Sequence, residues 1–263
     1  MNQNTNLDDL ADLAVKAAIE AGKAILEVYY NSDFGIDFKA DNSPLTIADK
    51  RAHNMIARIL GSTGIPLLSE EGRSIPYEER KNWELFWMVD PLDGTKEFIK
   101  KNDEFTVNIA LIQGNTPIVG VVFVPVFRQI YLGDQRGSFT ARVDFETESL
   151  TGITRLPLSS NDDKFIIVGS RSHMSAETEE YIRNIDTKGK PIEIRSKGSS
   201  LKICMVAEGL AMVYPRLAPT MEWDTAAGHA IVKFAGKEIY QFGGNEPLAY
   251  NKENLLNPWF VVE

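Results

Sequence analysis

The chain has 263 residues, of which 43% are hydrophobic and 25% are charged. This is the usual composition of a soluble globular protein, and it excludes a disordered chain. It contains 28 Lys and Arg against 37 Asp and Glu, so the net charge is −9; this charge argues against binding to long nucleic acid. One cysteine, Cys204, excludes a disulfide framework and a cysteine-only metal site.

The sequence contains no targeting or membrane-spanning pattern. Its start, MNQNTNLDDL, lacks the basic and apolar regions of a secretory signal. No apolar run approaches the roughly 18 residues that a transmembrane helix needs. We therefore expect a cytoplasmic protein, and peripheral association with the inner face of the membrane stays open. The sequence leaves both a monomer and a homodimer open.

The N-terminal half is predicted to begin with two helices. Apolar residues recur at three- and four-residue spacing from about 6 to 31, which predicts the first helix. Thr46 and Asp49 have the spacing of a capping box, which predicts the start of the second helix. Apolar and β-branched runs then predict strands at 66–68, 86–89, 106–112, 117–126 and 130–132.

The stretch 144–162 is polar and has no strong hydrophobic period, so we interpret it as the seam between two halves, 1–155 and 156–263. Beyond it we predict strands at 165–168, 191–195 and 212–214, and helices at 176–185, 199–208 and 224–234. Alternating strands and helices in both halves favour a layered α/β (α+β) architecture. We expect the halves to form one continuous domain.

The sequence DPLDGT at 90–95 carries the strongest chemical signal. Asp90 follows an apolar strand, Pro91 is expected to end that strand, and Asp93 precedes Gly94. Ligands of open α/β sheets bind near the carboxyl ends of strands. Two carboxylates that meet there are costly unless a cation lies between them, and such oxygen ligands suit Mg²⁺. The alternative is an ordinary turn with Asp, Pro and Gly at favoured positions.

Two further acidic positions favour a metal site. Glu70 follows another short apolar strand, and Asp224 precedes an Ala-rich helix. Each has a purely structural alternative: Glu70 and Glu71 could be solvated turn residues, Asp224 a helix N-cap, and Asp49 simply a member of its capping box. Cys204 lies in an apolar helical run and is interpreted as a core residue rather than a nucleophile.

With these motifs the chain resembles the inositol monophosphatase superfamily of magnesium-dependent, lithium-sensitive phosphatases. The resemblance rests on DPLDGT at 90–95 and WDTAA at 223–227, and it extends from the Asp49 region to Ala230. It implies an α-β-α-β-α sandwich and two or three Mg²⁺ ions in each active site. The metal ligands that it implies are Glu70, Asp90, Asp93, Asp224 and the backbone carbonyl of Leu92.

The same resemblance implies roles for the residues around the metals. Asp49 and Thr95 match the pair that positions and deprotonates the attacking water, and Glu70 counts among the catalytic residues as well as the ligands. The backbone N–H groups of Gly94 and Thr95 would face the phosphate, as anions bind at helix N-termini.

Segments after the seam resemble the 3′(2′),5′-bisphosphate nucleotidase branch of the superfamily, notably GSSLK at 198–202 and YPR at 214–216. Such enzymes convert 3′-phosphoadenosine 5′-phosphate into AMP and phosphate, which implies a role in sulfate assimilation. The resemblance assigns the second phosphate to Ser199, Lys202 and Arg216, with His173 as a further contact. Cations suit that role physically, because the metals take the scissile phosphate.

Alternatives to this assignment stay open. Lys202 and Arg216 could be solvated surface residues, and His173 could cap a helix. The enzyme could instead be an inositol monophosphatase or a broader sugar phosphatase, or the chain could be a catalytically silent phosphonucleotide-binding module. Two positions depart from the family pattern: Met212 stands where an acid is usual, and Glu222 stands beside Asp224, where its charge could tune metal affinity.

Overall fold

The structure, a computed structural model, describes residues 6–31, 37–38, 44–158, 163–169 and 175–263. Helix α1 (Leu7–Tyr29) is followed by two short antiparallel strands, β1 (Asp37–Phe38) and β2 (Pro44–Leu45). Helix α2 (Ile47–Leu60) starts from the predicted capping box, which is confirmed. The Thr46 N–H group donates to Asp49 Oδ2 at 2.7 Å, and Thr46 Oγ1 accepts from the Asp49 N–H group at 3.4 Å.

A seven-stranded sheet forms the centre of the fold. Its strands in spatial order are β3 (Leu67–Ser69), β4 (Leu85–Asp93), β5 (Thr106–Gln113), β6 (Thr116–Val124), β7 (Gln129–Asp134), β8 (Gly137–Val143) and β9 (Leu150–Arg155). Strands β3 and β4 pair parallel, and the other neighbouring pairs are antiparallel. Two short helices, α3 (Tyr77–Arg80) and α4 (Thr95–Ile99), flank β4 in the sequence.

The second part of the chain adds three helices and two small sheets. The helices are α5 (Ala176–Asn184), α6 (Leu201–Ala207) and α7 (Glu222–Phe234). One small sheet pairs β10 (Phe165–Gly169) parallel to β11 (Ile192–Ser196). The other is antiparallel in the order β12 (Tyr214–Arg216), β14 (Phe260–Val262), β13 (Ile239–Gln241). A single bridge from Ile167 to Val213 joins these two sheets.

The layers follow from the alternation of side chains along the central strands. Trp87 and Val89 of β4 pack in the core beneath α1 and α2, whereas Phe86 and Met88 pack in the core shared with α6 and α7. Gly120 of β6 allows α7 to lie close to the sheet, because a Cβ there would be 2.1 Å from a helix carbonyl. The small sheets and then α5 follow beyond α6 and α7. The α/β class and the α-β-α-β-α layering are confirmed.

Several predicted element boundaries differ from those in the structure. Pro91 does not end β4: a bulge lets Asp90 pair with Asn108 and Asp93 pair with Thr106, so Pro91 needs no ladder hydrogen bond. The polar stretch 144–162 contains β9, an edge strand that is almost wholly exposed; neither β9 nor β8 was predicted.

The start of α6 also differs from the prediction, because the helix begins at Leu201 rather than Ser199. Ser199 has a left-handed backbone with φ of 53°, so it cannot continue a right-handed helix. The strand expected at 212–214 is shifted to Tyr214–Arg216. Within the part of the chain that the structure describes, none of the helices combines the length and the apolar character needed to cross a membrane.

Candidate active site

Three acidic side chains meet at the end of β3 and β4. Glu70, Asp90 and Asp224 each have a carboxylate oxygen within 4.8 Å of the others. The parallel pairing of β3 with β4 continues through the Glu70 N–H group, which donates to the Val89 carbonyl at 3.0 Å, and this places Glu70 beside Asp90. Asp224 comes from the first turn of α7, where its Oδ2 accepts from the Met221 N–H group at 2.8 Å. We call these three residues the carboxylate cluster.

The cluster concentrates negative charge in a buried place. Burial raises the pKa of Asp90 well above its usual value, and the nearby charges of Glu70, Asp93 and Asp224 raise it further. Burial raises the pKa of Asp224 to about 8, and the nearby charge of Asp93 is the second cause of this rise. Buried like charges of this kind become favourable when a cation binds between them. The donor set contains only carboxylate oxygens, which fits a hard divalent cation such as Mg²⁺.

Asp93, the fourth predicted carboxylate ligand, lies beside the cluster but makes different contacts. Its Oδ2 accepts from Ser199 Oγ at 2.6 Å, from Ser200 Oγ at 2.9 Å and from Asn108 Nδ2 at 3.4 Å. The structure therefore brings three of the four predicted carboxylates into one group. The carbonyl of Leu92, the predicted backbone ligand, is 3.4 Å from Thr95 Oγ1.

The two residues predicted to handle the attacking water lie together. Thr95 Oγ1 donates to Asp49 Oδ1 at 3.2 Å, and Asp49 is only 2% exposed. Its other carboxylate oxygen is held by the capping box. Gly94 precedes Thr95 with φ of 93°, and a Cβ there would approach the Glu104 carbonyl to 3.3 Å. The helix that Thr95 opens, α4, has only five residues.

A cavity of about 360 Å³ adjoins the cluster, and both Asp93 and Asp224 line it. The cationic residues that line it are Lys96, Lys100, Lys197, Lys202 and Arg216. One cavity is therefore lined by both carboxylates and cations, which suits a ligand with more than one anionic group. We call the part of the lining next to the carboxylate cluster the acidic end and the part with Lys202 and Arg216 the basic end.

Lys202 is the most buried of these cations, at 7% exposed. Its Nζ donates to the Ser199 carbonyl at 2.6 Å and to the Lys197 carbonyl at 3.3 Å. Burial lowers the pKa of Lys202 to about 8, although nearby Asp93 opposes this change. Arg216 Nη2 donates to the Pro219 carbonyl at 3.1 Å. Lys202 is therefore not a solvated surface cation, whereas Arg216 is half-buried.

Of the other two predicted substrate contacts, Ser199 and His173, the structure describes Ser199. The hydroxyl of Ser199 contacts Asp93 and also Thr106 Oγ1 at 2.6 Å, so it joins the acidic end of the cavity to the segment that precedes α6, the helix that carries Lys202. His173 lies outside the described residues. Sequence reasoning missed Asn108 and Glu104, because a polar residue inside or before a strand carries no motif by itself.

The remaining sequence observations concern residues near the site. Glu222 is fully buried, and its carboxylate accepts from Lys252 Nζ at 2.6 Å and from the Asn251 N–H group at 2.6 Å. Its charge is therefore paired with the C-terminal segment. Met212 donates its N–H group to the Ile166 carbonyl at 2.8 Å. Cys204 is a buried free thiol, and burial raises its pKa well above the usual value, which disfavours a nucleophile.

Comparison with known proteins identifies the family. The model of the inositol monophosphatase family matches residues 6–259. The 3′(2′),5′-bisphosphate nucleotidase CysQ of Escherichia coli K12 is 42% identical over 257 residues, which cover 96% of this chain and 99% of that protein. The enzyme of the same name from Haemophilus influenzae is 35% identical over 262 residues, covering 97% and 93%.

Solved structures agree with this result. The crystal structure of CysQ from Bacteroides thetaiotaomicron superposes with a TM-score of 0.88 at 51% identity, covering 99% of this chain and 98% of that one. The IMPase of Thermotoga maritima shares the fold, with a TM-score of 0.75 at 21% identity over 97% of this chain and 92% of that one. The carboxylate cluster, the DPLDGT and WDTAA sequences and these matches lead to one conclusion: the chain belongs to the inositol monophosphatase family.

Proposed function

We propose that this protein is a Mg²⁺-dependent 3′(2′),5′-bisphosphate nucleotidase that removes the 3′-phosphate of 3′-phosphoadenosine 5′-phosphate to give AMP and phosphate. One observation carries the proposal: a single cavity is lined both by the carboxylates of Asp93 and Asp224 and by the cations Lys202, which is buried, and Arg216. The activity named for the CysQ relatives, such as the Escherichia coli K12 protein that is 42% identical over nearly its whole length, supports the choice of substrate.

The two ends of the cavity suit the two phosphates for different reasons. The carboxylates repel a phosphate by themselves and need bound cations to receive it. Lys202 and Arg216 can pair with the second phosphate directly, because charge-assisted hydrogen bonds to phosphate are strong in a buried site. A sugar monophosphate would leave these cations without an anionic partner, which disfavours it as the preferred substrate.

The residues that would hold Mg²⁺ are Glu70, Asp90, Asp93, Asp224 and the carbonyl of Leu92. Bound there, two or three such ions would supply charge neutralisation for the scissile phosphate and a lowered pKa for a bound water. We propose this number and these ligands from the family resemblance, supported by the meeting of three of the four carboxylates.

The chain's own residues would position the water and remove its proton. Thr95 Oγ1 donates its hydrogen to Asp49, so its oxygen lone pairs are free to accept a hydrogen bond from the water. As the water oxygen attacks phosphorus, its proton can pass through the hydroxyl to the carboxylate of Asp49. The bond between phosphorus and the ribose 3′-oxygen breaks, and that oxygen takes a proton from solvent.

The proposal is tested by phosphate release from 3′-phosphoadenosine 5′-phosphate, inositol 1-phosphate and fructose 1,6-bisphosphate, each with and without Mg²⁺. We expect Mg²⁺-dependent hydrolysis with a strong preference for the nucleotide. A preference for inositol 1-phosphate would keep the metal site and remove the role given to Lys202 and Arg216, whereas a preference for fructose 1,6-bisphosphate would contradict the nucleotide as the preferred substrate. Tight nucleotide binding without phosphate release would identify a silent binding module instead.

We also propose that this reaction takes place in the cytoplasm and supports sulfate assimilation, in which the bisphosphorylated nucleotide is a by-product that inhibits sulfate transfer. A chain with one cysteine, which is buried, is compatible with a reducing compartment. Loss of the gene should therefore cause accumulation of the bisphosphorylated nucleotide during growth on sulfate, and normal nucleotide levels would contradict this role.

A further inference from the structure

Glu104 is a buried acid, 7% exposed, that contacts the segment before α6 from a distant part of the sequence. Its Oε2 accepts from the Gly198 N–H group at 2.8 Å, and its Oε1 accepts from Lys197 Nζ at 3.3 Å. These partners are more than 90 residues further along the chain. We call residues 197–200 the substrate loop, because it lines the cavity. Glu104 therefore ties this loop to the segment that precedes β5.

The contact is close enough to fix the position of the loop backbone. A Cβ at Gly198 would lie 2.8 Å from the carbonyl oxygen of Glu104 and 2.9 Å from its Cβ. Only a residue without a side chain allows this approach. The next residue, Ser199, has a left-handed φ of 53°, a conformation that a residue other than glycine holds at some cost and that needs support from its surroundings.

The fixed loop in turn determines where Lys202 lies. The Lys202 ammonium donates to the carbonyls of Lys197 and Ser199, which are the residues on either side of Gly198. Because Glu104 holds Gly198 between them, it helps to set the positions of both carbonyls, together with the hydrogen bonds of the Ser199 hydroxyl to Asp93 and Thr106. Through these two carbonyls it also sets the position of the ammonium on the cavity wall.

We infer that Glu104 is a positioning residue for recognition of the second anionic group of the substrate, because it fixes the pair of loop carbonyls that orient Lys202. The inference rests on the proposed nucleotidase function and deepens it. Glu104 belongs to none of the motifs, and it would touch neither the scissile phosphate nor the metals. Its role would be selectivity between substrates with and without a second phosphate.

The charge of Glu104 allows a positioning role to be separated from an electrostatic one. A negative charge beside an anion-binding cavity weakens anion binding, so removal of the charge alone should strengthen binding of the bisphosphate. Loss of a positioning contact should weaken that binding, because Lys202 is no longer held. The two explanations therefore predict changes of opposite sign in KM.

The experiment measures KM and kcat for 3′-phosphoadenosine 5′-phosphate and for adenosine 3′-phosphate, which lacks the second phosphate. Glu104→Ala and Glu104→Asp should each raise KM for the bisphosphate about tenfold, the effect of losing one hydrogen bond to a charged group. Glu104→Asp keeps the charge but is too short to reach the loop. Glu104→Gln keeps an oxygen that can accept from Gly198, so it should stay close to the wild type.

The matched control is Glu78→Gln, which removes a negative charge from a side chain that is 78% exposed and does not line the cavity, and it should not raise KM. KM for adenosine 3′-phosphate should be the same in every variant. Equal losses of kcat for both substrates would show a merely structural role and overturn the inference, as would an unchanged or lower KM in Glu104→Asp. If Glu104→Ala fails to fold, the comparison of Glu104→Asp with Glu104→Gln decides the question.

The proposed function fails by a different result. A wild-type enzyme that does not prefer the bisphosphate over adenosine 3′-phosphate would overturn both proposals, because no second anion would be recognised. A wild-type enzyme that shows the preference, together with Glu104 variants that retain it, would overturn the inference about Glu104 alone.

Discussion

The acidic and basic ends of the cavity both contain charged side chains, but the surroundings of these charges differ. At the acidic end the carboxylates of Glu70, Asp90 and Asp224 face one another, so their charges destabilise the site until a cation binds. At the basic end the ammonium of Lys202 is held by two neutral carbonyls, which orient the charge without cancelling it. One end therefore depends on a cation from solution, and the other keeps its charge available for an anion.

Burial disfavours the charged form of a side chain at both ends of the cavity, so it shifts the pKa of an acid and of a base in opposite directions. It raises the pKa of Asp224 to about 8 and lowers the pKa of Lys202 to about 8. At neutral pH the Asp224 carboxyl therefore tends to keep its proton, whereas the Lys202 ammonium keeps its charge but lies close to losing it; a ligand of opposite charge would favour the charged form of each group. The comparison leads to the following experiments, from the largest expected effect to the smallest.

The largest effect is expected from Asp90→Asn at the acidic end. Loss of a carboxylate at the centre of the cluster should reduce phosphate release about a thousandfold, because charge stabilisation is the main contribution to such catalysis. The same change removes like-charge repulsion, so in EDTA the variant should unfold at a higher temperature than the wild type. Asp12→Asn, whose side chain is 72% exposed, is the control and should change neither. Substantial remaining activity would show that the cluster is not the metal site.

The matching change at the basic end is Lys202→Met, which keeps most of the volume and removes the charge. We expect KM for the bisphosphorylated nucleotide to rise about a hundredfold, the cost of removing one partner of a buried charge pair. The activity on adenosine 3′-phosphate should stay near that of the wild type. Lys16→Met, at an exposed position of α1, is the control. A large loss of kcat for both substrates would place Lys202 in the chemical step instead.

A smaller effect is expected from pH. Because the pKa of Lys202 is lowered to about 8, the ammonium is present below that pH and is lost above it. The charged groups Asp93, Glu97, Glu104 and Arg216 surround it and contribute to this value. The ratio of kcat/KM for the bisphosphate to kcat/KM for adenosine 3′-phosphate should therefore fall above pH 8, by up to about tenfold per pH unit.

Dividing kcat/KM for one substrate by kcat/KM for the other cancels any pH dependence of the chemical step that both substrates share. The variant Lys202→Met should show a flat ratio over the same range, since it has no ammonium to lose. A ratio that falls equally in the wild type and in Lys202→Met would assign the titration to another group.

The acidic end could be predicted from the sequence much better than the basic end, for a physical reason. Asp90 and Asp93 lie in one contiguous motif at the end of a strand, and Asp224 lies in a second motif at the start of a helix. Local sequence is enough to place such residues at element ends. The capping box of α2, which also places Asp49, is equally local.

The basic end depends on contacts that no local pattern reveals. The link from Glu104 to Gly198 and the bond from Ser199 to Asp93 join residues about 100 positions apart. In the same way β9 escaped prediction because an edge strand exposed on both faces lacks the alternation that marks a half-buried strand. The prediction that Pro91 ends β4 was wrong because the register shifts between Asp90 and Asp93. This bulge depends on the partner strand, and it leaves Pro91 at a position where no ladder hydrogen bond is needed.

The smallest effect is expected from Glu222→Gln, which tests whether Glu222 belongs to the acidic end. Glu222 lies two residues before Asp224, but its carboxylate accepts from Lys252 Nζ at 2.6 Å and from the backbone N–H groups of Asn251 and Lys252 at 2.6 and 3.0 Å. Glu222→Gln should therefore leave the Mg²⁺ concentration for half-maximal activity unchanged. It should cost about 1 to 2 kcal/mol of stability, which lowers Tm by a few degrees, because an amide cannot replace the ion pair. A shifted Mg²⁺ requirement with an unchanged Tm would instead make Glu222 part of the acidic end. The bound cations would then have to balance more negative charge than Glu70, Asp90, Asp93 and Asp224 supply.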